Sequence, residues 1–302
     1  MSKITEHVCE RYNLTILETF ALGNVCDGVF KVRDAQGRIM VLKSGTDARS
    51  ISEIRMNVVG YENMRAVGLS DYIPLEYALK VTEEEAYILM EYCGDDFLTM
   101  VRKIEDPVTA YYDLAQELRR MYSKSVATLE ETRGEYLMRV VVAKIVQTYN
   151  MYIMSVFGKD ARVLLVLEQL AQIMLLDCGK VFCFSNWDLT PEDVFMSHKG
   201  LKYADPHAEV IGVPMVDIGC FAGVARDAYD LPGSSDGYKT LKQFAVDIAP
   251  ILGTSSQYSE RYFYLGRVLQ SFLSARFRLK NDQEKARKIF LQGVGYLNKI
   301  VM

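Results

Sequence analysis

Short apolar stretches separated by polar turns dominate the first third of the chain. LTILETFAL (14–22), DGVFKVRD (27–34) and IMVLKSG (39–45) are rich in β-branched and aromatic residues, which favour strands. LEYALKV and AYILMEY, joined by the acidic turn TEEE, have the same character. The pattern predicts three strands before residue 46 and two more before residue 93.

A helical pattern separates the third predicted strand from the fourth. Ile51, Ile54, Val58 and Tyr61 recur at spacings of three and four residues, which predicts a helix over 50–67. The order of three strands, one helix and two strands is typical of a small sheet with one helix packed on it.

The periodicity becomes helical after CGDD and stays so to about residue 178. VFCF (181–184) then leads into the loop SNWDLTPED, and 194–204 reads as a hairpin around the turn SHKG. Helices resume after residue 217. We therefore predict an α+β fold with two lobes, a sheet-bearing N-lobe over 1–92 and a larger, mostly helical C-lobe over 93–302.

Composition and charge limit the function classes. Of the 302 residues, 50% are apolar and 25% are charged, which is typical of an ordered globular protein. The net charge of −4 gives no electrostatic basis for nucleic acid as the main partner, because such partners require a basic face.

Other sequence features indicate a cytoplasmic protein without a membrane partner. The N-terminus carries charges throughout and has no apolar signal-peptide core. The longest apolar stretches, such as RVVVAKIV, fall short of the ~20 residues that a membrane span needs. The six cysteines show no CxxC spacing, so we interpret them as free thiols in a reducing compartment.

Three carboxylates surround the loop SNWDLTPED. Asp188 lies in the loop, Asp193 follows five positions later, and Asp205 ends the predicted hairpin. Clustered carboxylates repel one another unless a divalent cation compensates them. We therefore interpret Asp193 and Asp205 as metal ligands, and Asp188 as the base that accepts a proton from an attacking hydroxyl.

A candidate phosphate site lies in the first predicted lobe. Lys43 ends an apolar strand, where an ammonium needs an anionic partner. The turn upstream contains Gly23 and Gly28, and its backbone amides could cover phosphates, although a plain hairpin explains both glycines equally well. The predicted helix offers Glu53 and Glu62 as partners of Lys43. We expect Glu62, because it lies closer to the helix end that meets GLSDYIP.

These motifs occur together in a known order. Lys43, the helix glutamate, LMEYCG, NWDLTPED, YADP and GVPMVD follow one another as in the aminoglycoside phosphotransferase-like kinases, which the chain resembles from about residue 14 to 290. That family includes choline, fructosamine and homoserine kinases. It has the bilobal protein-kinase-like fold and binds ATP between the lobes.

The resemblance implies a role for each candidate residue. Asp188 would be the catalytic base and Asp205 the principal Mg²⁺ ligand. Asp193 would be a second metal ligand. Lys43 would hold the α- and β-phosphates of ATP, with Glu62 behind it.

The same resemblance implies an adenine site and a supporting carboxylate. Adenine would contact residues 90–93, mainly through backbone groups of Glu91 and Cys93. Asp217, in GVPMVD, would steady the catalytic loop by accepting hydrogen bonds from backbone amides. The cofactors implied are ATP and Mg²⁺.

The loop departs from the family pattern HGDLHPGN at three positions. Asn186 replaces a histidine, Trp187 a glycine and Asp193 an asparagine. The extra negative charge at Asp193 could favour tighter cation binding or Mn²⁺. We expect an active enzyme; the alternative is a kinase-like subunit that binds nucleotide or peptide within a partner complex without turnover.

The acceptor is expected to bind to the predicted C-lobe. The candidates there are a tyrosine-rich helix and the segment RDAYDLPGSSDGYKTL, with the residues Tyr149, Tyr152, Asp227, Asp230 and Asp236. Acids and aromatic rings suit a cationic, hydroxylated small molecule, such as an antibiotic or an amino alcohol. A protein partner or a homodimer is a further expectation from the methionine-rich composition.

Overall fold

The structure is a computed structural model that describes residues 2–20, 28–187, 189–197 and 200–302. The strands are β1 (Thr15–Thr19), β2 (Gly28–Arg33), β3 (Ile39–Gly45), β4 (Glu76–Val81), β5 (Ala86–Glu91), β6 (Ala127–Thr128), β7 (Val181–Phe184), β8 (Val194–Ser197), β9 (Gly200–Tyr203) and β10 (Ile211–Gly212). The α-helices are α1 (Lys3–Tyr12), α2 (Ala48–Ala66), α3 (Phe97–Val101), α4 (Pro107–Lys124), α5 (Arg133–Leu137), α6 (Ala143–Thr148), α7 (Met154–Phe157), α8 (Ala161–Leu175), α9 (Pro214–Gly223), α10 (Ser234–Asp247), α11 (Ser256–Arg278) and α12 (Gln283–Val301).

Contacts group the chain into two units. One unit comprises Met1–Asp95 with Phe195–Val210, and the other comprises Asp96–Val194 with Ile211–Met302. The segment that carries β9 therefore belongs with the N-terminal unit, whereas the sequence pattern assigned it to the lobe over 93–302. The functional labels of the two predicted lobes stay predictions.

The N-terminal unit is built on an antiparallel sheet. In the described residues its strand order is β1-β2-β3-β5-β4. All five strands were predicted from the sequence, and the predicted bounds of β3 match those of the structure. Helix α2, also predicted, begins after Asp47, whose carboxylate accepts hydrogen bonds from the backbone N–H groups of Arg49 and Ser50.

Helix α1 was not predicted from the sequence. Its buried residues are Ile4, Thr5 and Val8, and Ile4 and Val8 join the core formed by one face of the sheet. Ser2 caps its first turn, and Asn13 ends it in a left-handed conformation with a φ of 51°. A buried face of so few residues gives a weak periodic signal, and this explains the omission.

The C-terminal unit is mainly helical and is organised around α11, which packs against α9, α10 and α12. Helices α9 and α11 approach closely because each has a glycine at the contact. A Cβ on Gly219 would meet the carbonyl of Phe263, and one on Gly266 would meet the carbonyl of Val216. A small antiparallel sheet, in the order β10-β7-β6, holds the segment that leads into the loop after Phe184.

One helical run spans most of the segment between α4 and α8, where the sequence pattern also predicted helix. The π-helical turns Met138–Val142 and Tyr149–Ile153 join α5, α6 and α7 into a continuous run, Arg133–Phe157. Among the described helices, this run alone has the length and apolar composition that a membrane span needs. The core helix of a soluble protein meets the same two criteria. The run is not one uninterrupted apolar stretch, because the helix continues through charged positions such as Arg139 and Lys144.

Candidate active site

Lys43 lies at the centre of a polar cluster in the N-terminal unit. Strand β3 pairs it with Val29 on one side and Ile88 on the other, and its side chain is only 5% exposed. Its ammonium donates to Asn57 Oδ1 at 2.8 Å and to Asp205 Oδ1 at 2.9 Å, and lies 2.9 Å from Glu53 Oε1. Carboxylates and an amide thus compensate a charge that would otherwise be buried at high free-energy cost.

The partner of Lys43 on α2 is Glu53, so the preference for Glu62 was wrong. Glu62 is exposed and lies nine positions further along, which is about two and a half helical turns and therefore the opposite face. Asn57, four positions after Glu53, lies on the same face. Proximity to the helix end was a poor criterion, whereas the four-residue spacing of two polar residues beside buried apolar ones identifies the correct face.

Helix α2 also contacts the segment that follows Asp205. A Cβ on Gly60 would lie 2.6 Å from the carbonyl oxygens of Pro206 and His207, so the absence of a side chain permits this approach. Asn63 donates from its Nδ2 to the carbonyl of Ala208 at 2.6 Å. Neither Gly60 nor Asn63 was predicted from the sequence as a site residue.

The backbone of Asp205 adopts an uncommon conformation. Its φ is 55°, in the left-handed region that aspartate tolerates better than most residues. Burial, and next the negative charge of Asp205, raise the pKa of Tyr61, which also forms a hydrogen bond with the Asp205 backbone. Tyr61 and Lys43 therefore fix both the backbone and the carboxylate of Asp205, although its side chain is still 50% exposed.

Residues 90–93 lie at the end of β5. The Glu91 backbone N–H donates to the Leu75 carbonyl at 2.8 Å, so this N–H is already hydrogen-bonded within the N-terminal unit. The Cys93 thiol donates weakly to the Glu91 carbonyl at 3.7 Å. Adenine binding through Glu91 and Cys93 stays a prediction, and at Glu91 the carbonyl oxygen is the more suitable group.

The structure describes one of the two glycines that were predicted to lie in a phosphate-binding loop. Gly23 lies outside the described residues. Gly28 begins β2 opposite Ser44, and a Cβ there would overlap the ring of Phe30. Packing against that ring explains Gly28 without a nucleotide.

In the C-terminal unit, Asp217 supports the loop after β7. It is fully buried on the first turn of α9, and its Oδ2 accepts the backbone N–H of Asn186 at 2.8 Å. This is the kind of hydrogen bond that the resemblance implies for Asp217. A carboxylate that accepts from a backbone amide fixes the loop more firmly than a neutral acceptor would.

Trp187 follows Asn186 with a φ of 51°, which is uncommon for a bulky residue. The thiol of Cys220 donates to its carbonyl at 3.5 Å, and the ammonium of Lys144 lies 5.9 Å from the centroid of the indole ring. Lys144 was not identified from the sequence. Asp188, the predicted base, lies outside the described residues.

Asp193 closes the same loop. Its Oδ2 accepts from the Thr190 backbone N–H at 3.0 Å and from the Thr190 hydroxyl at 2.7 Å. Among the described residues no group of three or more acidic, histidine or cysteine side chains could hold a metal ion. Mg²⁺ requires only one or two carboxylates in addition to water and phosphate oxygens, so a carboxylate such as that of Asp193 or Asp205 is a suitable type of ligand.

Two candidate acceptor residues are occupied within the protein. Tyr149 is buried, and its hydroxyl accepts the Asp160 backbone N–H at 2.9 Å. The guanidinium of Arg276 lies 3.9 Å from the centroid of the Tyr152 ring. Tyr149 therefore belongs to the core, and a cation of the protein already contacts the Tyr152 ring.

Asp227 is held in an ion-pair cluster. Arg226 Nε donates to its Oδ1 at 2.8 Å, and fully buried Arg267 donates to its Oδ2. Burial raises the pKa of Asp227, but the hydrogen bond from Arg226 and the charges of both arginines outweigh this and lower it overall.

The other two acids of that segment are exposed. Asp236 accepts from Lys239 at 2.8 Å on the first turns of α10. Asp230 is solvent-exposed, with a φ of 46°.

Comparison with known proteins identifies the fold. No protein-family model matches the chain, and no curated protein matches it. The structure is similar to choline kinase LicA from Streptococcus pneumoniae, with a TM-score of 0.61, 14% identity and coverage of 99% of this chain and 100% of that one. A putative fructosamine-3-kinase from Haemophilus somnus 129PT gives a TM-score of 0.60 and 10% identity, covering 99% of this chain and 97% of that one.

ADP-bound aminoglycoside phosphotransferase APH(2'')-Ib is similar over 100% of this chain and 99% of its own, with a TM-score of 0.61 and 12% identity. Similarity at such low identity establishes the fold. The chain thus has the α+β, protein-kinase-like fold of the aminoglycoside phosphotransferase-like kinases, as its motifs predicted.

Proposed function

We propose that the chain is an ATP-dependent phosphotransferase that transfers the γ-phosphate of ATP to a hydroxyl group of a small molecule. The observation that carries this proposal is the cluster around Lys43. An ammonium that is nearly inaccessible, aligned by Glu53 and Asn57 and touching a half-exposed carboxylate, is suited to hold phosphate oxygens beside a metal ligand.

Each residue has a defined task in this reaction. Lys43 binds the α- and β-phosphates, with Glu53 and Asn57 orienting its ammonium. Asp205 and Asp193 would hold Mg²⁺, which neutralises the charge that develops on the phosphates. Mn²⁺ is the alternative ion, because Asp193 adds a negative charge to the ligand set.

The chemical step follows from these tasks. The acceptor hydroxyl oxygen forms a bond to the γ-phosphorus, and the bond from that phosphorus to the oxygen bridging to the β-phosphate breaks, releasing ADP. Asp188 accepts the hydroxyl proton and later passes it to solvent. Asp217 keeps the loop before Asp188 in place through the Asn186 amide.

We further infer that the protein works in the cytoplasm, where ATP is abundant and thiols stay reduced. Support comes from the cysteines, since all five in the described residues are free.

Thermal melting with ATP and Mg²⁺ or Mn²⁺ tests nucleotide binding. Wild type should be stabilised by about 2.7 kcal/mol at a ligand concentration 100 times Kd. Asp205→Ala should abolish the shift, whereas Asp188→Ala and the control Asp236→Ala should retain it. No shift in wild type with either metal would contradict the proposal.

Turnover then separates an enzyme from a subunit that only binds nucleotide. ADP formation should rise in the presence of an accepted hydroxyl compound. Asp188→Ala should lower that rate about 100-fold or more, because general base catalysis contributes at least this much. ADP formation that is unchanged in Asp188→Ala would contradict the assignment of the base.

A further inference from the structure

The ammonium of Lys43 has as many acceptors around it as it has N–H groups. A lysine ammonium carries three donors and no acceptor. Asn57 Oδ1 lies 2.8 Å from its nitrogen, and Asp205 Oδ1 and Glu53 Oε1 each lie at 2.9 Å. The Lys43 side chain is only 5% exposed, so little room remains around the ammonium. A phosphate oxygen can therefore bind to this ammonium only if one of the three acceptors leaves it.

The charges at Lys43 also disfavour an anion that arrives alone. Two carboxylates, those of Glu53 and Asp205, face one ammonium, so these three groups together carry a net charge of −1. A net negative charge repels a metal-free polyphosphate and attracts a divalent cation. Once Asp205 is paired with such a cation, Lys43 and Glu53 form a neutral pair, and the repulsion is removed.

Asp205 is the acceptor that leaves most easily. Its side chain is 50% exposed, whereas that of Glu53 is 21% exposed and Asn57 is buried. Water competes for an exposed carboxylate, so an ion pair with such a group is weaker than one with a buried group. Rehydration thus offsets more of the lost pairing for Asp205 than for either residue on α2.

The carboxylate of Asp205 can move while its backbone stays in place. Tyr61, on α2, forms a hydrogen bond with the Asp205 backbone. Asn63, on the same helix, donates from its Nδ2 to the Ala208 carbonyl at 2.6 Å. These contacts hold the segment against α2. Rotation about the side-chain bonds of Asp205 is therefore sufficient to exchange the ammonium for a cation.

We propose that Asp205 determines the form in which nucleotide is accepted. Its ion pair with Lys43 excludes metal-free nucleotide, and one N–H of Lys43 becomes available to a phosphate oxygen when the Asp205 carboxylate binds a divalent cation. The proposal rests on the phosphotransferase function proposed above and specifies its nucleotide substrate as the metal complex. Glu53 and Asn57 keep the ammonium oriented in both arrangements.

ADP binding in two media tests this role without turnover. ADP is titrated calorimetrically once with excess Mg²⁺ and once with EDTA, at equal ionic strength. Asp205→Asn removes the carboxylate charge, keeps the shape of the side chain and tolerates the φ of 55°. It should bind metal-free ADP about 10-fold more tightly than wild type, because a charged acceptor no longer competes for Lys43. With Mg²⁺ it should bind ADP at least about 10-fold more weakly, because a metal ligand is lost.

Three further variants show whether the effect belongs to Asp205. Asp205→Gly also accepts a positive φ and has no side chain, so it should show the same opposite changes in the two media. Glu53→Gln makes the same charge change in the cluster but leaves Asp205 on the ammonium, so it should not strengthen binding of metal-free ADP. Asp236→Asn, which alters an exposed acid on α10, should match wild type in both media. Circular dichroism verifies that each variant is folded.

Two results would overturn the proposal. One is metal-free ADP that binds no more tightly to Asp205→Asn and Asp205→Gly than to wild type. The other is an equal gain in Glu53→Gln, because net charge rather than the contact with Asp205 would then exclude the anion. Both results leave the binding of ADP with Mg²⁺ to wild type unaffected, so they do not contradict the proposed function. No binding of ADP with Mg²⁺ to wild type would refute the proposed function and this proposal together.

Discussion

The assignment of Glu53 as the partner of Lys43 leads to a prediction with an internal control. Glu53→Gln removes one carboxylate charge from the cluster and keeps an oxygen that can accept a hydrogen bond. Glu62→Gln makes the same chemical change on the opposite face of α2. The two substitutions should therefore differ in free energy of unfolding, although helix propensity changes equally in both.

The magnitude follows from the geometry. Unit charges 2.9 Å apart attract by about 6 kcal/mol at an effective dielectric constant of 20. Most of this is offset, because the Glu53 side chain is 21% exposed and recovers hydration when it is unpaired, and because Asp205 and Asn57 still contact the ammonium. We expect Glu53→Gln to lower the free energy of unfolding by about 1–3 kcal/mol, and Glu62→Gln to change it by less than about 0.5 kcal/mol.

Urea denaturation followed by circular dichroism measures both changes. A double-mutant cycle with Lys43→Met isolates the pairwise term, which should be about 1 kcal/mol or more for Glu53 and close to zero for Glu62. Equal losses in the two single variants, or a larger coupling with Glu62, would refute the argument from helix faces.

Three further substitutions test packing and charge. Gly60→Ala should lower the free energy of unfolding in urea by about 1–3 kcal/mol, because the added Cβ would meet the Pro206 carbonyl. Gly295 in α12 has open space around it, so Gly295→Ala should raise the free energy of unfolding by up to about 1 kcal/mol. Burial raises the pKa of Asp177, but hydrogen bonds from Arg133 and Tyr262 outweigh this effect, so the pKa is lowered overall. The ionised Asp177 carboxylate therefore stabilises the fold fully above about pH 4, and this stabilisation is lost as the pH falls further. Asp177→Asn should lower the free energy of unfolding by about 3–5 kcal/mol at pH 7. Below about pH 4 the variant should lose stability less steeply than wild type, and equal slopes of unfolding free energy against pH in the two proteins would contradict this.

The sequence predicted the parts of the site that depend on strand ends and motif order. The pattern of IMVLKSG places Lys43 in β3 with the observed bounds, and the hairpin that ends before Asp205 was also predicted. Both predictions use the two-residue period of strands and the composition of turns, which are local properties.

Tertiary contacts could not be predicted in the same way. Whether Glu53 or Glu62 meets Lys43 depends on which face of α2 packs on the sheet. The need for Gly60 depends on the path of the chain 145 residues later, near Asp205. Likewise, Tyr152 looked available in the sequence because nothing local indicates that Arg276 covers it.

The most direct test of the central claim is calorimetric titration of ATP with Mg²⁺ into wild type, Asp205→Asn and the control Asp236→Asn. Removal of one carboxylate charge from the proposed metal site should weaken binding at least 10-fold, since a ligand interaction of about 1.4 kcal/mol corresponds to that factor. The account predicts saturable binding to wild type and to the control, and much weaker binding to Asp205→Asn. Equal affinity in all three, or no binding to wild type, would contradict it.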